Sequence, residues 1–198
     1  MYFNPLSDIV FKYLLGREET KDLLLSFINS VLEDSDLSTM KSVEIRNPFN
    51  LKEFETDKVS VLDIKALDER GKIYNIEVQG IGNEVFVSRS LYYWAKLYAG
   101  QLEEGEEYGK LQPVICINIL DFKLLEKPDL LHSCFMAFDK NNKDILLSEN
   151  FQLHFIEVKK YQNNLTKLQK TLKDWVYYFL NEGKGEEKMK TVLEENPL

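Results

Sequence analysis

Chemistry in this chain concentrates in two short runs. Asp63 sits in Ser60-Val-Leu-Asp63-Ile-Lys65-Ala, and Glu77 and Gln79 sit in Lys72-Ile-Tyr-Asn-Ile-Glu77-Val-Gln79. Both runs alternate. Leu62, Ile64 and Ala66 fall on one face of the first, with Val61, Asp63 and Lys65 on the other. In the second, Tyr74, Ile76 and Val78 oppose Asn75, Glu77 and Gln79. A period of two is the strand period, so Glu77 and Gln79 point the same way. The connection Asp68-Glu-Arg-Gly71 has turn chemistry, with Gly71 free to take a positive φ. A loop over 68–72 pairs Leu67 with Ile73 and sets Asp63 opposite Glu77, with Cβ atoms roughly 4.5–5.5 Å apart. Carboxylates that close repel unless a proton or a cation lies between them. Oxygen ligands suit Mg²⁺. The plainer reading is a solvated hairpin face, where polar residues alternate by default.

The constellation resembles the metal-binding core of the PD-(D/E)XK nucleases, in which an Asp on one strand, then an acid and a Lys two residues apart on the next, form the site. Gln79 stands here in place of the Lys. The Glu-x-Gln ending resembles the Rpn family, the recombination-promoting nucleases also described as PD-(D/E)XK transposases. Asp8-Ile-Val-Phe-Lys12-Tyr-Leu-Leu-Gly16, Ser88-Arg-Ser-Leu-Tyr92-Tyr93-Trp94-Ala-Lys96 and Leu111-Gln-Pro-Val-Ile-Cys-Ile-Asn-Ile-Leu120 follow in the family's order. The resemblance thus covers nearly the whole chain.

It implies a restriction-endonuclease-like α/β core, a central mixed β-sheet flanked by α-helices. It further implies Mg²⁺, with Mn²⁺ as a substitute, held by Asp63, Glu77 and the backbone carbonyl of Val78, and DNA as the substrate. Asp63, Glu77, Gln79 and Lys65 become the catalytic candidates. Gln79 orients a water or phosphate oxygen by hydrogen bonding but supplies no charge. Lys65 shares the face of Asp63 and is a candidate for the missing cation, with an exposed strand lysine as its ordinary alternative. Lys12, Lys58, Arg89 and Tyr92 are the DNA-contact candidates. Lys12 equally suits an ion pair with Asp8 one helical turn away, and aromatic residues at helical spacing equally suit a core. The leading function is a metal-dependent DNA endonuclease of a recombination or transposase-associated family. The alternative is a degenerate nuclease fold kept as a nucleic-acid-binding or protein-interaction module.

The elements that must position these residues are legible in outline. Ser7 or Asp8 caps a first helix, and Asp22 to Leu32 forms a second amphipathic one. Val43 to Arg46 reads as a strand, and the hairpin follows at about 58–67 and 73–80. Val85 to Gln101 reads as a long helix and Val114 to Leu120 as a buried strand. Ser133 to Phe138 and Leu153 to Val158 read as two more strands, and Leu165 to Leu180 as a last helix. Residues 1–184 are expected to form one domain, and 185–198 a charged tail or the start of a longer extension.

Composition narrows the classes. The 198 residues are 44% apolar, enough to fill a core, and 12% aromatic, which argues against disorder. A formal net charge of −8 counts against a protein that coats nucleic acid non-specifically. Cys116 and Cys134 lie in apolar runs without zinc spacing and read as buried free thiols. His132 and His154 stand alone in the sequence and read as surface or satisfied histidines. There is no leader-like start and no run long enough to span a membrane, so a cytoplasmic protein is expected. A homodimer is a candidate assembly for cutting both strands.

Overall fold

The apolar runs dictate which strands lie in the middle. Val114–Leu120, apolar except for Asn118, is buried at every residue and has a strand on each side. The structure is a computed structural model that describes residues 4–46, 64–82, 85–161 and 168–181. Its centre is a six-stranded mixed sheet in the order β1-β2-β3-β4-β6-β5. The strands are β1 (Val43–Arg46), β2 (Ile64–Asp68), β3 (Ile73–Gln79), β4 (Val114–Leu120), β5 (His132–Phe138) and β6 (Leu146–Glu157). The pairs β1–β2, β2–β3 and β5–β6 are antiparallel, while β3–β4 and β4–β6 are parallel. Parallel neighbours need a crossover, and α3 (Phe86–Ala99) provides it between β3 and β4. This is the α/β architecture implied by the resemblance.

Alternating residues send side chains to opposite faces, and helices cover both. Ile64, Ala66, Tyr74, Ile76, Val78, Ile117, Ile119 and Ile156 join the larger core with α1 (Asp8–Leu15), α2 (Lys21–Asp34) and α4 (Lys170–Leu180). Phe27 meets the Trp175 ring edge-on at 5.4 Å between centroids, locking α2 to α4. Cutting Trp175 to Ala costs about 3–5 kcal/mol. On the opposite face Ile73, Val114, Cys116, Leu120, Leu153 and Phe155 pack under α3 through Phe86, Trp94 and Leu97.

The hairpin register agrees with the sequence, with Leu67 opposite Ile73. Gly71 takes φ 82°, and the buried Asp68 carboxylate accepts the backbone N–H groups of Arg70 and Lys72, both at 2.9 Å. Two expectations need correction. The polar face of β3 is not a solvated surface, because α3 lies over it and leaves Asn75 1% and Glu77 6% exposed. The strand read as 153–158 starts at Leu146, since hairpin pairing with β5 carries it through the polar run Ser148-Glu-Asn150 that breaks the apolar signal. Among the described residues no helix is long and apolar enough to cross a membrane.

Candidate active site

Strand β3 brings Asn75, Glu77 and Gln79 to the α3 side of the sheet, spaced by the two-residue repeat. Their neighbours on β4 are Cys116, Asn118 and Leu120. Asn75 Nδ2 donates to Glu77 Oε1 at 3.2 Å, and Asn75 Oδ1 is buried without a partner among the described residues. Asn118 Nδ2 donates to the His154 carbonyl at 3.1 Å, and the Ser90 hydroxyl from α3 reaches Asn118 Oδ1 at 3.4 Å. Burial first, and then the Glu77 carboxylate, push the Cys116 thiol up.

At the open end of β3 the chain turns at Gly80 and Ile81 and enters α3. Gln79 Nε2 donates to the Ile81 carbonyl at 3.0 Å, while Arg89 Nη2 donates to Gln79 Oε1 in a short contact. The Arg89 guanidinium lies over the Phe86 ring at 5.0 Å and near the Tyr93 ring at 6.0 Å. Arg89 Nε is buried and has no partner among the described residues. The Gln79 amide is therefore oriented, its oxygen towards a cation and its nitrogen towards the backbone.

Of the other candidates, Lys65 shares the face of Asn75 and Glu77, while Lys12 and Tyr92 lie apart. Lys65 lies opposite Asn75 on one side and Arg46 on the other. Burial, and then the Arg46 charge, lower its pKa. Lys12 rides on α1, whose Phe11 and Leu15 pack into the core on the opposite face. Tyr92 points outward, 48% exposed, with the Lys96 ammonium 5.9 Å from its ring. Arg89 and Tyr92, grouped by sequence, thus face different surroundings. The Val78 side chain joins the core opposite the Glu77 face. Asp63 and Lys58 lie outside the described residues; Asp63 directly precedes Ile64, which pairs with Ile76.

Sequence reasoning gave no role to Asn75, Asn118 or Ser90. The available signal was an amide inside an otherwise apolar strand, as at Asn118, where burial demands a partner. It also read the histidines as solitary, whereas the structure joins them: His132 Nε2 and His154 Nδ1 are 3.1 Å apart.

Among the described residues no three His, Cys, Asp or Glu side chains are grouped to hold a metal. The donors on this face are nonetheless hard oxygens, the Glu77 carboxylate and the orphaned Asn75 Oδ1. That set suits Mg²⁺ or Mn²⁺ rather than a soft cation. Comparison with known proteins gives one assignment: the chain matches the family model of the PD-(D/E)XK nuclease family transposases over residues 5–197. No curated protein and no solved structure gives a match.

Proposed function

As the chain belongs to the PD-(D/E)XK nuclease family transposases, a family of nuclease type, we propose that it is a metal-dependent DNA endonuclease hydrolysing phosphodiesters. One observation carries this reading: a buried carboxylate, Glu77, stands two residues from Gln79, to which α3 delivers the Arg89 cation. A strand meeting that face finds oxygen donors for a cation and a positive charge for its phosphate.

In this proposal Asp63, Glu77 and the Val78 carbonyl hold Mg²⁺, with Mn²⁺ as a substitute. When bound, the cation acidifies a water and neutralises charge on the phosphate. The chain's own groups do the positioning. Gln79 uses one N–H on Ile81 and has a second for a phosphate oxygen or the attacking water. Lys65 approaches along β2, at the Asn75 side. Tyr92, outward on α3, offers a ring on which a base stacks, and Arg89, Lys12 and Lys58 meet the backbone phosphates. A homodimer would place two such sites on opposite strands.

The test is cleavage of supercoiled plasmid with Mg²⁺, with EDTA, and with Asp63→Ala and Glu77→Ala. Nicking or cutting that needs the cation and disappears in both variants is expected. Equal cleavage by wild type and both variants would point to another site or to a contaminant. A second reading, a binding module on a degenerate nuclease fold, draws on the neutral Gln79. Duplex binding that persists in Glu77→Ala, with no cleavage by wild type under any divalent ion, would select it.

A further inference from the structure

We propose that Arg89 is a catalytic residue, the cation that contacts the scissile phosphate. The inference rests on the nuclease reading and assigns it a residue that sequence spacing placed only among general DNA contacts.

Water adds to phosphorus and the bridging P–O bond breaks, giving a phosphomonoester and a hydroxyl. The water's proton leaves to solvent and the departing oxygen takes one up. Arg89 keeps all its protons, because a guanidinium does not titrate near neutral pH. Its task is to meet negative charge growing on the non-bridging oxygens.

Geometry separates Arg89 from the other cations. Lys65 pairs with Asn75, two residues before Glu77 and away from the Gln79 end of β3, and sits beside Arg46. Lys12 belongs to the helix layer behind the sheet. Arg89 reaches the end of β3 itself, donating to Gln79 two residues, roughly 6.8 Å, along the strand from Glu77. Two aromatic rings flank its guanidinium, which limits its rotamers. Its Nε–H is buried and, among the described residues, unpartnered. A guanidinium binds a phosphate through two parallel N–H donors. An arginine fixed through one Nη, with Nε left open, is prepared for such an anion. If it served only to brace Gln79, nothing would call for a desolvated, unused donor beside that contact.

The experiment compares wild type, Arg89→Ala and Arg89→Lys in three measurements: single-turnover cleavage at saturating DNA with Mg²⁺, duplex binding in Ca²⁺ across a salt series, and thermal unfolding. Arg89→Ala is expected to cleave about 100–1,000-fold more slowly, with an unchanged melting temperature. Its slope of log Kd against log salt should be shallower by about one phosphate contact. Arg89→Lys should recover part of the rate, and added methylguanidine should raise the rate of Arg89→Ala but not of wild type. A wild-type rate and slope in Arg89→Ala would overturn the proposal. So would loss of rate that tracks a lowered melting temperature, without rescue by lysine or methylguanidine, because that pattern belongs to a brace. A wild-type chain that never cleaves, yet binds duplex with an Arg89-dependent slope, would sink the nuclease reading while preserving the phosphate contact.

Discussion

Two buried polar groupings lie on opposite faces of the same sheet, and they are built on different terms. Behind the sheet, Asp34 Oδ2 accepts from His132 Nδ1 at 2.6 Å, and Asp34 Oδ1 accepts from the Gln169 backbone N–H at 2.7 Å. With neutral imidazoles His132 Nε2 then accepts from His154 Nδ1, and His154 Nε2 accepts the Cys134 thiol at 3.7 Å. Every polar atom of those two rings is used. Under α3, by contrast, Asn75 Oδ1 and Arg89 Nε are buried without partners among the described residues. Glu157 shows that the face is not what decides. It lies on the α3 side, yet it accepts from the Leu124 and Leu125 backbone N–H groups and pairs with Lys160 at 2.7 Å. A saturated network holds architecture together; one with open valences on a charged side chain is shaped for something not yet bound.

The sharpest way to break this contrast is Glu77→Gln. The substitution keeps the shape and removes the charge. Cleavage should fall to background while the unfolding free energy stays within about 1 kcal/mol of wild type. Plasmid cleavage and urea denaturation on the same preparations decide it. A variant that cleaves normally, or that unfolds, would place Glu77 with the structural networks.

Next in size is Glu157→Ala, which strands a lysine that is 2% exposed. Breaking a buried pair from one side costs about 3–5 kcal/mol, to be read by urea denaturation. The resulting loss of activity should follow the folded fraction rather than exceed it. Tolerance of the change would mean that Lys160 escapes to solvent and that the 124–130 segment is held by something else.

How much of this was visible in the sequence depends on range. Leu67 opposite Ile73 follows from a five-residue loop with a positive-φ glycine, so the hairpin register was legible. The apolar run of β4 announced a strand buried on both faces. Arg89 meeting Gln79 was not legible, because it depends on where a crossover helix sets its first turn against a strand end. The histidine chain was hidden for the same reason: the registers of β5 and β6 set Cys134 opposite His154, and the end of α2 brings Asp34. Spacing along the chain encodes periodicity, whereas contacts between elements depend on packing.

The histidine chain gives a smaller, pH-dependent effect. Burial, reinforced by His132, pushes His154 down from 6.5 to about 3. On acidification the unfolded chain takes up a proton that the folded chain refuses. The contribution is therefore fully present above pH 6.5 and is lost as pH falls towards 3, at up to about 1.4 kcal/mol per pH unit. Urea denaturation at pH 7, 6 and 5 should show this slope in wild type and a shallower one in His154→Gln. Parallel slopes would mean that His154 is not the neutral link assigned to it, and the contrast between a closed network and an open one would lose its best-defined member.

The smallest effect tests how the open site is braced. A Cβ on Gly82 would lie 2.8 Å from the Phe122 ring, whereas one on Gly80 would meet nothing within 4 Å. Phe122 packs edge-on against Phe86 at 5.8 Å, and Phe86 carries the Arg89 guanidinium on its ring. The same turn supplies the Ile81 carbonyl that orients Gln79. Gly82→Ala must therefore displace the Phe122 ring, which backs Phe86 under Arg89, or shift the turn that orients Gln79. Overpacking of this kind costs about 1–3 kcal/mol, and the low end fits an exposed turn. Cleavage should fall several-fold beyond what the melting shift explains, while Gly80→Ala stays near wild type in both measurements. If the two variants behave alike, the close approach at Gly82 does not hold the site, and Arg89 is positioned by α3 alone.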